Sequence, residues 1–66
     1  MDVVINGERK QVTAGVTLLE LLQELELDPR AVVVEHNRQI VRRPKLSDVT
    51  VAPGDAIELV HFVGGG

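Results

Sequence analysis

The stretch TLLELLQEL, residues 17–25, constrains the architecture more than any other. Leu18, Leu21, Leu22 and Leu25 fall at i, i+3, i+4 and i+7, which is one apolar stripe on a helix, with Glu20, Gln23 and Glu24 opposite. Thr17 is placed to cap that helix, and Glu20 three residues later completes a capping box. The pattern predicts a single amphipathic helix of about two and a half turns, ended by Asp28-Pro29. It is too short to sustain a coiled coil. One stripe can cover only one surface, so the rest of the chain has to supply that surface.

The rest reads as strands. MDVVI is a short strand in which Met1, Val3 and Ile5 share a face. Asn6-Gly7 suits a tight hairpin turn, where both central residues take positive φ. ERKQV, residues 8–12, returns as a polar edge strand whose charges discourage pairing with another molecule. AVVVEHN, residues 31–37, is a β-branched run that reads as a buried strand, with RQIV as its short partner and the turn near His36-Asn37-Arg38. Pro44 and KLSD read as a loop or a single helical turn. Pro53-Gly54-Asp55 is a turn, and AIELVHFV is the last strand. Hairpin, helix and returning strands make an α+β two-layer domain of the β-grasp type: a mixed sheet of four to five strands packed on one helix. Residues 1–62 form that domain, and residues 63–66 are expected to be a flexible glycine tail.

Sixty-six residues leave room for one core. A chain of this size buries only about 60% of the surface that its unfolded form exposes, so packing alone has to suffice. The chain has no cysteine, which excludes disulfides, thiolate metal sites and thiol nucleophiles. His36 and His61 are too few for a structural zinc site without sulfur, and neither is assigned a role. Ser47, the only serine, has no base or oxyanion site marked out for it, so a self-sufficient enzyme is not expected. Seven basic against ten acidic residues, net −3, argue against a general nucleic-acid binder. No apolar run approaches a membrane span, and a cytoplasmic protein is expected.

The last strand is apolar on both sides. Ile57, Leu59 and His61 alternate on one face, Val60 and Phe62 on the other. If Ile57 and Leu59 meet the helix, Val60 and Phe62 look out from the open side of the sheet. Together with Val63, and with Val4 and Val33 on neighbouring strands, they form a candidate partner-docking patch. Gly64, Gly65 and Gly66 then reach roughly 10 Å when extended. Lacking Cβ atoms, they can thread a channel too narrow for side chains. A terminal carboxylate is ionised near neutral pH and is a poor electrophile. An ATP-using partner would have to activate it before a sulfur nucleophile could attack.

Over almost its whole length the chain resembles the ThiS family, small sulfur carriers of thiamine thiazole biosynthesis with the ubiquitin-like β-grasp fold. The resemblance is carried by the NG hairpin, TLLELL, VVVEHNRQIVRR and PGDAIELVHFVGGG. It implies that a ThiF-like enzyme adenylates the carboxylate of Gly66. Sulfur from a donor such as a cysteine desulfurase then makes a thiocarboxylate, which a ThiG-like thiazole synthase consumes. It further implies that Gly65 and Gly66 enter both partners' active sites, and that the chain itself binds no cofactor, metal or nucleic acid, ATP being the activating enzyme's substrate. Gly64 departs from many relatives and lengthens the tail. Arg43 resembles a family position, Pro44 is displaced from the usual proline, and no function is claimed for either. Two alternatives stay open. One is a sibling carrier for tRNA thiolation or another cofactor or amino-acid pathway. The other is a non-covalent β-grasp interaction module with a frayed end.

Overall fold

In the computed structural model, which describes residues 1–62, Asn6 and Gly7 turn the first hairpin at φ of 50° and 81°. The turn joins β1 (Asp2–Ile5) to β2 (Glu8–Gln11), antiparallel, with Asp2 opposite Gln11 and Ile5 opposite Glu8. Val3 and Ile5 are buried, as alternation requires, whereas every residue of β2 is exposed. The helix α1 spans Leu18–Glu24. The Thr17 hydroxyl accepts from the Glu20 N–H at 3.1 Å, and the Glu20 carboxylate accepts from the Thr17 N–H at 2.9 Å, so the expected capping box forms. A cap of this kind contributes about 1 kcal/mol.

The helix stops earlier than expected. Asp28-Pro29 does not end it. The chain leaves at Glu26, whose φ is +60°, and the Leu27 N–H reaches back to the Leu22 carbonyl while the Glu26 N–H bonds Gln23. These two bonds make a Schellman closure with glutamate where glycine is usual. Asp28 instead caps a 3₁₀ turn, Pro29–Ala31, its carboxylate accepting from the Arg30 N–H at 2.9 Å.

Two more strands follow, β3 (Val32–His36) and β4 (Gln39–Val41), an antiparallel pair turned by Asn37 and Arg38 at φ of 49° and 70°. The run read as a buried strand is buried on one side only. Val32 and Val34 face the core, and Val33 faces out, because a single helix leaves the other face of the sheet uncovered. A 3₁₀ segment, Arg43–Asp48, inserts Leu46 into the core at 1% exposure. The Pro53-Gly54 turn, with Gly54 at φ +83°, leads into β5 (Ala56–His61).

The five strands form one mixed sheet in the order β2-β1-β5-β3-β4. The central β5 runs parallel to β1 and antiparallel to β3. Leu18, Leu21 and Leu22 of the helix pack with Val3, Ile5, Val34, Leu46, Ile57 and Leu59 into one core. This is the expected two-layer arrangement, with five strands.

Candidate functional site

β5 carries the chain towards the glycines, and two turn residues hold it in place. Where β1 ends, the Asn6 side chain takes over its ladder. Its Oδ1 accepts from the Leu59 N–H at 2.7 Å, and its Nδ2 donates to the Leu59 carbonyl at 3.2 Å. At the other end of β5, Asn37 does the same for Ala56. Its backbone N–H donates to the Ala56 carbonyl at 2.8 Å, and its Oδ1 accepts from the Ala56 N–H at 2.9 Å. Both asparagines occupy left-handed backbone, which this residue tolerates better than most.

Asn37 belongs to a larger cluster. Its Nδ2 donates to Asp55 at 3.2 Å, and the Ala52 N–H donates to the same carboxylate at 2.8 Å. His36 Nε2 lies 2.7 Å from Asp55, their side chains only 18% and 13% exposed. An ionised carboxylate only accepts, so the imidazole nitrogen is the donor. Burial would push the Asp55 carboxyl up, but the bonds from Ala52, His36 and Asn37 outweigh it and hold it below the usual carboxylate value. His36 was given no role from the sequence. It is in fact the last residue of β3 and ties that strand to the turn before β5. The pairing escaped sequence reading because the two residues lie 19 positions apart. His61 is exposed at the far end of the strand. Among the described residues no group of three His, Cys, Asp or Glu is placed to hold a metal ion, and no helix is long and apolar enough to cross a membrane.

The open face of the sheet carries the apolar patch. Val60 is 58% exposed, Phe62 47% and Val33 41%. Val33 sits directly opposite Val60 in the β3–β5 register, and the Phe62 N–H bonds the Ala31 carbonyl just beyond the strand. Glu35 and Glu58 face each other two residues further along. Val4, expected beside them, is half-buried on β1 and pairs with Ala56. Ile40, opposite Glu35 on β4 and 65% exposed, extends the apolar surface and was not foreseen. Its only signal was its place in RQIV, an apolar residue set against a glutamate. The remaining predicted site residues, Val63, Gly64, Gly65 and Gly66, lie outside the described residues, as does the proposed boundary of the tail.

The patch thus ends where the described chain does, at the mouth of the glycine segment. The sequence profile of the ThiS family matches residues 3–66. A thiazole synthase of Paramagnetospirillum magneticum is 46% identical over 66 residues, and the chain spans 20% of that protein's length. The sulfur carrier protein ThiS of Escherichia coli is 33% identical over 66 residues, with 100% of both chains covered. The crystal structure of a thiamine biosynthesis protein (ThiS) from Geobacter metallireducens superposes with a TM-score of 0.86 at 33% identity, again over 100% of both chains.

Proposed function

The chain belongs to the ThiS family, and we propose that it is a cytoplasmic sulfur carrier of thiamine biosynthesis, a carrier and not a catalyst. The observation that supports this most is the end-to-end correspondence with a ThiS sulfur carrier, which runs through the glycine segment. A ThiF-like enzyme adenylates the carboxylate of Gly66, using ATP and releasing pyrophosphate. A persulfide derived from a cysteine desulfurase attacks the acyl carbon with its outer sulfur and expels AMP. A thiol then reduces the S–S bond of the resulting acyl disulfide, and the thiocarboxylate so released passes its sulfur to a ThiG-like thiazole synthase. The thiazole route is favoured over tRNA thiolation because thiazole synthases contain a segment similar to the whole of this chain.

The globular domain and the tail divide the work. Val60 and Phe62, with Val63 next in the chain, dock on the partner, and Gly64, Gly65 and Gly66 thread its channel. Exposure of an aromatic and a valine on a face that the helix leaves open supports the docking half of this reading. Incubation with ATP, a ThiF-like enzyme and a sulfur source, followed by intact-mass measurement, tests the transfer. The expected product gains the mass difference between one oxygen and one sulfur. Amidating Gly66 should abolish both adenylation and the gain, and normal adenylation of the amidated chain would sink the assignment. Phe62→Ala should weaken binding to the activating enzyme by about 1–2 kcal/mol. Unchanged affinity of the folded variant would move the docking patch elsewhere.

A further inference from the structure

The outer edge of β4 has the build of a peptide-recognition edge, adjoining the Val60–Phe62 face and sharing Phe62 with it in one groove. Its hydrogen-bonding phase follows from β3. The Asn37 N–H addresses Ala56 on β5, so odd-numbered residues of β3 turn their polar groups to β5 and even-numbered ones to β4. His36 and Val34 therefore bond Gln39 and Val41, and Ile40, opposite Glu35, points its N–H and carbonyl away from the sheet. These groups have no backbone partner among the described residues. A hydrophobic residue thus stands on a sheet edge with one donor and one acceptor free.

Two grooves meet at this edge. One, about 450 Å³, is lined by Val33, Ile40, Arg42, Arg43 and Phe62 among others. The second, about 440 Å³, is lined by Ile40, Val41, Arg42, Lys45, Asp48 and Val49. Ile40, Val41 and Arg42 are common to both. A strand laid along β4 would bring its side chains beside both grooves, while its backbone met Ile40. Charge specifies what those side chains carry. Arg42, Arg43 and Lys45 form no ion pair among the described residues, in a chain whose net charge is −3. Nearby Asp28 is already taken up by Arg30 at 3.1 Å.

We propose that the β4 edge takes an extended partner segment in which apolar and acidic side chains alternate, added as a sixth strand. Apolar grooves and free strand-edge groups favour such a peptide over a nucleic acid, which needs neither. The proposal does not depend on sulfur transfer, because its site and its test leave Gly66 out.

The test is a titration of the isotope-labelled protein with a capped heptapeptide of alternating valine and aspartate, followed by backbone amide shifts. Saturable shifts centred on Ile40 and Arg42 are expected. The double variant Arg42→Glu/Arg43→Glu should raise the dissociation constant at least about tenfold, as loss of close charge pairs does. Arg9→Glu on the opposite edge strand, which also reverses a charge, should change it less than twofold. The valine–lysine counterpart of the peptide should not bind. Several results would overturn the proposal: no saturable shift, shifts centred on Val60 or β2, or equal effects of the two charge changes. A concentration-dependent dimer that shifts Ile40 without peptide would overturn it in favour of a second copy, and tighter binding of a single-stranded oligonucleotide at the same amides would do so in favour of nucleic acid.

Discussion

The two hairpin turns are near copies in geometry and different in chemistry. Each places an asparagine in left-handed backbone, Asn6 at φ 50° and Asn37 at φ 49°, and each asparagine bonds the backbone of β5. The second turn residue is Gly7 in one and Arg38, at φ 70°, in the other. The surroundings differ as well. Asn6 makes both of its side-chain bonds to Leu59 in a partly buried place, whereas the bonds of the Asn37 side chain, to Asp55 and Ala56, are exposed. Turn geometry alone can therefore be met by several residues. The grip on the central strand is what demands asparagine in both turns.

Substitutions can break that comparison, the largest first. Asn6→Ala leaves the N–H and carbonyl of Leu59 without their partners and strains the turn, so a loss of about 2–4 kcal/mol is expected in chemical denaturation. Asn6→Asp keeps the acceptor and loses the donor, and should fall between this variant and the parent. Asn37→Ala releases only the Ala56 N–H and one bond to Asp55, near solvent, and should cost about 1–2 kcal/mol. If the two alanine variants were equally damaging, burial would not be the deciding difference.

The Asp55 cluster adds a pH dependence to the second turn that the first lacks. The folded-state pKa of Asp55 is below 3.8, so its stabilisation is present above that unfolded value and is lost as pH falls through the folded one. Acid titration of stability should therefore show a fall below pH 3.8 that Asp55→Asn flattens. A slope unchanged in the variant would assign the acid sensitivity to other carboxylates. The smallest effects concern the second turn positions. Gly7→Ala should cost about 1 kcal/mol, and Arg38→Gly should gain up to about 1 kcal/mol by relieving left-handed strain. A gain from both changes would show that the two turns have different backbone requirements after all.

These turns also show what was legible in the sequence. Asn6-Gly7 announced its hairpin because glycine marks positive φ, and the helix start was as clear from Thr17 and Glu20. Arg38 and Glu26 take the same backbone region with no such mark, so the second turn was placed only approximately and the helix end was misplaced. The open-face position of Val60 and Phe62 followed from counting, since one helix covers one side. Leu46, the His36–Asp55 pair and the outward edge of Ile40 depend on which segments meet in space, and local pattern does not encode that.

The placement of β5 has a mechanical consequence. Any pull on the residues beyond Phe62 is transmitted along the axis of a strand flanked on both sides, parallel to β1 and antiparallel to β3. Such a load shears two ladders at once, whereas a pull on an edge strand peels one ladder bond by bond. A partner that draws the end of this chain into a channel would thus be hauling on the best-anchored strand of the sheet. The fold can stay intact while its terminus is under tension.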